Sequence, residues 1–277
     1  MKISVCVTIF NEKAETVKRL LTALNNQTLK PDEIIIIDAK DYDNCSRSKG
    51  RNIAISKAKN EIIAITDAGC IPHKNWLTNL VKPFRIASSQ FPRNDIVVAG
   101  FYEMVCTNKL QKAMAIFLGT QNPRSDFLPS ARSMTFTKSI WKKVGGFPEN
   151  LKNTAEDTLF NVNLVKAGAK FEVAKNAIVD WQMPNSIKSF YLKIKNYASG
   201  DAQSGIWWHP VKKWQTHNVK ILTIFLRYIL FFYYPWLLVV YIVYAFYKAG
   251  WWGILLQFIS DFGCIIGFSH GILQTSS

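Results

Sequence analysis

The sequence has few acidic residues and few cysteines. It contains 19 Asp and Glu against 34 Lys and Arg, which gives a formal net charge of +15. The five cysteines are widely separated and form no C-x-x-C pair, so neither a disulfide framework nor a zinc site is expected, and a reducing compartment fits this usage. The opening segment MKISVCVTIFNE has too short an apolar run for a signal peptide, and we expect the N-terminal part to stay in the cytoplasm.

The excess of basic residues first suggests nucleic-acid binding, because clustered Lys and Arg bind phosphates. Their location favours a different partner. From Gln182 onward the chain has eight basic residues and two acidic ones, and this is also its most apolar part. Basic residues that flank hydrophobic segments are typical of contact with an anionic membrane surface, so we expect a membrane partner and no nucleic acid.

The first half of the chain alternates strand-like and helix-like runs. ISVCVTIF, EIIIID and EIIAITD read as buried strands, and amphipathic stretches separate them. Such alternation predicts an α/β fold with a mainly parallel sheet and crossover helices. Further strands are expected at DIVVAGFYEMV and ARSMTFTK, and a helix from about Ala155 to Ala167 that ends at Gly168.

The composition changes beyond about residue 210. The run Tyr228–Tyr247 has no charge over twenty residues, which is long enough to cross a bilayer core. A weaker candidate follows it and is interrupted by Asp261, so residues 211–277 are predicted to be a basic, aromatic linker with one or two membrane-spanning or interfacial helices. Core helices of a soluble protein are the alternative. Lysines before the first candidate place residues 1–210 on the cytoplasmic side of a cell membrane.

Polar residues stand where three predicted strands end. Thr8, Asn11 and Glu12 follow the first strand, Asp38 ends the second and Asp67 ends the third. Ligands bind beyond the carboxyl ends of parallel strands, so these side chains are expected at one crevice. Carboxylates there could accept hydrogen bonds from ribose or hold a divalent cation, and the alternative for each is a turn or helix cap.

Two further segments carry charged groups at predicted helix starts. Arg47 and Arg51, four residues apart, would share a helix face near its N-terminus, which suits a diphosphate, or would form a solvated basic face. Glu156 and Asp157 open the helix after VGGF. They are either favourable partners of the helix dipole or, if one faces the crevice, a general base.

Six segments together resemble the family 2 glycosyltransferases of the glycosyltransferase-A fold. They span about residues 1–182 in the family's order and spacing and are SVCVTIFNE, QTLKPDEIIIIDA, SKGRNIAISKAKNEIIAITDAGC, KNWLTNLVKPF, SARSMTFTKSIWKKVGGFPE and AEDTLFNVNLVKAGAKF. The resemblance implies a Rossmann-like α/β fold, a nucleotide-sugar donor, a hydroxyl acceptor and inverting transfer. The hydrophobic C-terminal helical segment lies outside it.

Carried over by position, the resemblance implies a role for each candidate residue. Asp157 matches the catalytic base and Glu156 would orient it. Asp67 matches the first acid of the D-x-D signature, which contacts the ribose and a metal-bound diphosphate. The other implied donor contacts are Thr8, Asn11, Glu12, Asp38 and Arg51.

Three positions depart from the family pattern. Gly69 stands where D-x-D has its second acid, so a divalent cation, Mn²⁺ or Mg²⁺, would have one usual ligand fewer. The loop after the second strand is DAKDYDNC instead of DDGSTD. Ile206 replaces Arg in the Q-x-x-R-W signature of processive enzymes, which favours transfer of a single sugar.

The acceptor side is suggested by aromatic residues. Trp181, Trp207 and Trp208 either form a platform on which a sugar stacks or anchor the protein to a membrane interface. A lipid-linked or surface-glycan acceptor is expected. A nucleotidyltransferase is disfavoured because FNEKAETV replaces the usual Gly-rich loop. The alternative from another class is an inactive, membrane-tethered protein that binds a nucleotide-sugar or glycan.

Overall fold

The computed structural model describes residues 1–86, 95–119, 129–151, 154–207 and 217–275. Its strands form a seven-stranded sheet in the order β2-β1-β3-β6-β5-β7-β4. Their bounds are β1 (Ile3–Ile9), β2 (Glu33–Asp38), β3 (Ile62–Asp67), β4 (Cys70–Pro72), β5 (Ile96–Val105), β6 (Met134–Thr137) and β7 (Lys170–Gln182).

The sheet is mixed, and most of its strands run in one direction. β2, β1 and β3 are parallel neighbours, β6 is antiparallel to β3, and β5 is antiparallel to β6. β5 therefore runs with β1, β2 and β3. Since β4 and β7 oppose each other, one of them also runs this way. The predicted mixed, mainly parallel α/β sheet is confirmed.

Helices occupy the segments between and after the strands. They are α1 (Ala14–Asn25), α2 (Arg47–Lys57), α3 (Trp76–Ile86), α4 (Lys109–Leu118), α5 (Lys138–Lys143), α6 (Glu156–Lys166), α7 (Ile187–Ser204), α8 (His217–Tyr233) and α9 (Trp236–Thr275), with a short 3-10 turn at Ala39–Asp41. α6 ends as predicted, because Gly168 follows it with φ of 83°, in the left-handed region that favours glycine.

The chain divides into two compact units. The first comprises Met1–Glu103, Gln121–Asn150 and Glu156–Gln182, and the second comprises Met104–Thr120, Leu151–Ala155 and Met183–Ser277. In the first unit, the apolar run that forms β3 is buried between the flanking strands and packs with Phe136, Phe147 and Phe160. The core of the second unit brings α4, α7, α8 and α9 together around Phe190, Ile194, Ile224 and Leu256. The predicted domain boundary at residue 210 stays a prediction.

The uncharged run Tyr228–Tyr247 does not form one continuous helix. α8 ends at Tyr233 and α9 begins at Trp236, and Pro235 lies in the turn between them. Proline has no backbone N–H and clashes with the preceding turn of a helix, so an uncharged run of sufficient length is still divided here. The sequence-based interpretation considered length and charge and overlooked this break.

α9 itself changes direction near its middle. Among the described residues it is the one helix with the length and apolar composition to cross a membrane. However, Ala249 (φ −152°, ψ 28°) and Gly250 (φ 62°, ψ −152°) are not helical. α9 therefore has two limbs, residues 236–248 and 251–275, and only the second is long.

Candidate active site

The polar ends of β1, β2 and β3 lie side by side. In the parallel register, Thr8 pairs with Asp67, and Ile9 pairs with Asp38. These residues stand at or next to the last residues of their strands, so the carboxyl ends of three neighbouring strands meet at one edge. The register thus brings Thr8, Asp38 and Asp67 to one edge of the sheet, and their role as ligand contacts stays a prediction.

Arg51 binds two of the candidate carboxylates. It lies on α2, whose N-terminus is capped by the Ser46 hydroxyl, and its guanidinium contacts Asp67 Oδ1 and Glu156 Oε1, both at 2.7 Å. The Arg51 side chain is 6% exposed and that of Asp67 is 31% exposed. Asp67 therefore keeps access to solvent from a largely buried ion-pair network.

Burial and charge act in opposite directions on this network. Burial alone would lower the pKa of Arg51, but the Asp67 and Glu156 carboxylates more than offset it and raise that pKa above its ordinary value. Burial likewise favours the neutral form of Asp67, yet the nearby Arg51 and then Arg132 hold the pKa of this carboxyl below its usual range. Asp67 is therefore ionised at neutral pH.

Asp157 is in a different electrostatic environment. Burial, followed by the charge of Glu156, raises its pKa above the ordinary value. Its carboxylate accepts hydrogen bonds from the backbone N–H of Ala131 (3.3 Å) and of Thr158 (2.9 Å). Ala155, two residues before Asp157, has a φ of 71°, a strained conformation for a residue with a side chain. This strained residue immediately precedes α6, whose first two residues are the acid pair Glu156 and Asp157.

Arg132 is a charged residue of this site that our sequence interpretation did not select. It lies two residues before the start of β6, and its charge acts on both Asp67 and Asp157. The guanidinium carbon lies 4.1 Å from the Trp181 ring centroid and 4.9 Å from that of Tyr102. Arg132 belongs to no spacing pattern. The only indication of it in the sequence was its position in residues 130–133, just before a predicted strand.

The remaining candidates near β1 and β2 have local contacts. The Glu12 carboxylate accepts a hydrogen bond from the backbone N–H of Phe10 at 2.8 Å. The Asp38 carboxylate accepts one from the backbone N–H of Lys40 at 3.0 Å, and this contact is the helix-cap alternative that the sequence left open. Asn11 is exposed. The Thr8 side chain is buried, and its hydroxyl makes no hydrogen bond within the described part of the chain.

Two of the three candidate tryptophans lie in the described part of the chain. Trp181 is only 8% exposed, and Arg132 lies over its ring. Trp207 is 44% exposed and belongs to the second unit, where its ring contacts Phe268 edge-on. Trp208 lies outside the described residues. Only a small part of the Trp181 side chain is therefore exposed, and its role as an acceptor contact stays a prediction.

The turn after β3 has room for a ligand. A Cβ built on Gly69 would meet nothing closer than Glu12 Cγ at 4.0 Å. Asp67 is the one carboxylate of the D-x-D position, and its Oδ1 is bound to Arg51. Mg²⁺ in proteins is often held by one or two carboxylates together with substrate phosphates and water, so Asp67 fits such a cation through its other oxygen.

A second group of possible metal ligands occurs in the first unit. Ligand atoms of His73, Glu103 and Asp180 all lie within 4.8 Å of one another, and His73 Nε2 is 2.8 Å from Asp180 Oδ1. Tyr102 and Trp181, the neighbours of Glu103 and Asp180 in β5 and β7, contact each other. Since side chains alternate along strands, this group lies on the opposite face of the sheet from Tyr102, Trp181 and the Arg132 side chain that contacts them.

A solved structure with a TM-score above 0.5 supports the fold. The mannosyltransferase PcManGT from Pyrobaculum calidifontis, solved with GDP-Man and Mn²⁺, matches 73% of this chain and 62% of its own at 17% identity, with a TM-score of 0.54. S. aureus TarS 1–349, solved with UDP, matches 72% of this chain and 64% of its own at 19% identity, with a TM-score of 0.49. The chain thus spans less than two thirds of either structure.

Family comparison is more specific. No curated protein matches the chain. The family described as glycosyl transferase family 2 matches residues 4–47, which contain β1, β2 and the start of α2. The family described as glycosyl transferase family group 2 matches residues 74–264, more than half of the chain. On this coverage, and with the glycosyltransferase-A architecture described above, the chain belongs to glycosyl transferase family group 2.

Proposed function

We propose that this protein is an inverting glycosyltransferase that moves one sugar from a nucleotide-sugar to a hydroxyl of an acceptor. The observation that carries the proposal is the arrangement of opposite charges at the strand ends. Arg51 binds Asp67 and Glu156 at 2.7 Å, and Asp157 follows Glu156 with a raised pKa. The pKa of Asp67 is lowered, so that acid is held ionised, whereas the pKa of Asp157 is raised, a division that suits donor binding beside base catalysis.

Asp157 is the proposed general base. The acceptor hydroxyl oxygen forms a bond to the anomeric carbon while the bond from that carbon to the diphosphate oxygen breaks. The hydroxyl proton moves to Asp157, and the electron pair of the broken bond leaves with the nucleoside diphosphate. A raised pKa strengthens this base near neutral pH. Glu156, fixed by Arg51, holds the start of α6 in position.

The donor would lie across the ends of β1, β2 and β3. The buried Thr8 hydroxyl, which has no hydrogen-bond partner among the described residues, supports a contact with the nucleotide. Asn11, Glu12 and Asp38 are the other proposed contacts with base and ribose. The binding of GDP-Man by the mannosyltransferase of similar fold is consistent with a nucleotide-sugar donor.

The leaving diphosphate requires positive charge. Arg51 already neutralises two carboxylates, so we assign Arg132 as a second cationic contact, because its charge acts on both Asp67 and Asp157. Asp67 would hold Mg²⁺ or Mn²⁺ in the bound state, and such a cation supplies further neutralisation of the diphosphate. The mannosyltransferase solved with Mn²⁺ provides a precedent in the same fold.

The C-terminal part of the chain supports a proposal for the acceptor and for the protein's location in the cell. We propose a lipid-linked or surface-glycan acceptor and a cell membrane location with the catalytic part on the cytoplasmic side, supported by the apolar helix α9 and the basic residues around it. Trp207, Trp208 and Trp181 remain proposed acceptor contacts. A second candidate function is binding without catalysis, and Gly69 at the D-x-D position is the observation that favours it.

The first experiment measures release of nucleoside diphosphate by the detergent-purified protein. A panel of nucleotide-sugars is tested with Mn²⁺, with Mg²⁺ and with EDTA, beside Asp67→Asn and Asp157→Asn. We expect release from one donor, lost by about 10²–10⁴-fold in Asp157→Asn, the range for removing a general base. Glu172→Gln, an exposed acid on β7, is the control. Donor binding without turnover by the parent protein would favour the binding alternative.

A further inference from the structure

α8 and the first limb of α9 fold back on each other. The Arg227 guanidinium lies 4.5 Å from the Tyr241 ring centroid, and the Phe231 and Tyr241 ring centroids are 5.3 Å apart. A straight helix would separate Arg227 and Tyr241 by about 21 Å. The chain therefore reverses at Tyr234–Pro235, and we call residues 217–248 the hairpin.

One side of the hairpin packs inside the second unit. Ile221, Ile224, Tyr241 and Ala245 are buried, and the first two belong to the core that α7 and α9 share. Asp261, from the second limb, ties the hairpin down because it accepts hydrogen bonds from Tyr228 and Tyr241 and forms an ion pair with Arg227 at 2.7 Å. The hairpin is thus a fixed part of the second unit.

The other side of the hairpin is apolar and exposed. Its side chains recur every three or four residues along both helices, which puts them on one stripe of each helix. They are Leu222, Phe225, Leu226, Ile229, Leu230, Phe232, Tyr233, Trp236, Val239, Val240, Val243, Tyr244, Phe246 and Tyr247. An exposed apolar surface of this extent marks an interaction site. Because the stripes run along both helices, the partner contacts the hairpin along its length and not only at its tip.

The charges around this surface identify a lipid bilayer as the partner. The hairpin has no acidic residue. Arg227 is ion-paired, and the Lys248 ammonium lies 4.0 Å from the Phe117 ring centroid, so Lys220 at the base of the hairpin is the lysine that can meet lipid. A lysine beside apolar surface favours anionic lipid headgroups. Tyr233, Tyr234 and Trp236 at the turn are amphipathic aromatics of the kind enriched at membrane interfaces.

The hairpin is too short to cross. From Lys220 to Tyr233, and along residues 236–248, each helix rises about 20 Å, whereas a bilayer core is about 30 Å thick. We propose that the hairpin lies in one leaflet, parallel to the membrane plane, with its exposed stripes in the boundary between headgroups and acyl chains. This inference rests on the membrane location proposed above and replaces a membrane span with an in-plane anchor.

The second limb of α9 is long enough to span but is held against α7. A Cβ on Gly267 or Gly271 would collide with the carbonyl oxygens of Lys195 and Ser199 in α7, so the two helix backbones nearly touch. α7 also carries Lys188, which is exposed. If the second limb crossed the bilayer, α7 would be drawn toward the hydrocarbon with its charged Lys188 and Lys195 side chains, which is unfavourable. The second limb is therefore not placed as a membrane span.

Depth-dependent fluorescence quenching tests this arrangement. A single cysteine is introduced into the full-length protein as Leu222→Cys, Leu226→Cys or Phe232→Cys and labelled with an environment-sensitive dye. Leu192→Cys, an exposed apolar position on α7, is the matched control, and labelled parent protein gives the background from native cysteines. Each protein is bound to phosphatidylglycerol-containing vesicles with a quencher near the headgroup or deep in the acyl chain.

We expect the shallow quencher to reduce fluorescence more strongly than the deep one at all three hairpin positions, and neither to act at 192. A depth gradient from 222 to 232, quenching at 192, or no quenching at any hairpin position would each overturn the proposal. If one variant melts below the parent, Val243→Cys replaces it. The signal needs no turnover, so a protein that transfers no sugar still answers the question.

Discussion

At the scale of single residues, Arg51 is the group on which the carboxylates of the site depend. We expect Arg51→Met to lower the free energy of unfolding by about 3 kcal/mol, because it leaves Glu156 and Asp67 without their buried partner. Arg47→Met, one helical turn earlier, removes a contact with the Phe10 ring at 4.7 Å and a smaller charge interaction with Asp67, and should cost less than about 1 kcal/mol. Urea unfolding of both variants in detergent measures the difference. Equal losses would contradict the assigned role of Arg51.

Asp157 leads to a prediction about pH. Its pKa is raised in the folded protein, so folding favours the protonated form, and the stability from this group falls as pH rises from the unfolded value of about 3.9 through the folded one. A general base needs the ionised form, so kcat/KM should rise over the same window. In this window the parent gains activity while it loses stability relative to Asp157→Asn.

The measurement is a pair of pH profiles, one of kcat/KM for the parent and one of the difference in melting temperature between parent and Asp157→Asn. The Glu172→Gln control should follow the parent in both. If the Asp157→Asn protein kept the parent's acid limb of kcat/KM, another group would be the base.

At the scale of elements, α7 and the second limb of α9 pack with little space between their backbones. Gly→Ala in a helix ordinarily stabilises by about 1 kcal/mol. At Gly267 we expect the reverse, a loss of about 1–3 kcal/mol, because the new methyl would meet the Lys195 carbonyl oxygen and Ala198 Cβ.

Gly263→Ala is the matched comparison on the same helix. There the new Cβ would lie 3.1 Å from Ile194 Cγ2, a side-chain methyl that can move, so the change should be close to neutral. Thermal unfolding of both variants in one detergent tests the contrast, and a stabilised Gly267→Ala protein would mean that the helices are not in close contact.

At the scale of the whole molecule, charge and apolar surface should act together on membranes. The chain carries a formal charge of +15, and the hairpin adds an uncharged apolar surface. Screening at high salt weakens attraction to anionic lipid but leaves apolar contact intact. We therefore expect binding to anionic vesicles to fall only in part between about 0.05 and 0.5 M NaCl. Vesicle flotation measures this, and complete release at high salt would show that charge alone holds the protein.

Much of the fold and part of the site could be predicted from local patterns. The strand β3, the helix α6 with Gly168 after it, and the acids at the strand ends each depend on neighbouring residues, because periodicity and strand polarity are local properties. Arg132 could not be found in this way. Its relation to Trp181 and the two aspartates comes from residues brought together across the sheet.

The sequence by itself determined that the chain is an α/β protein with carboxylates at successive strand ends and an apolar, basic C-terminal part, because alternation, spacing and composition are written along the chain. Only the tertiary structure decided which carboxylates share Arg51, since that pairing joins residues 105 positions apart. It also decided how the uncharged C-terminal run is used. The run turns back on itself at Pro235, and the non-helical Ala249 and Gly250 interrupt the helix that follows. Hydropathy sums the apolar character of residues and contains no information on chain direction, so it cannot show a reversal.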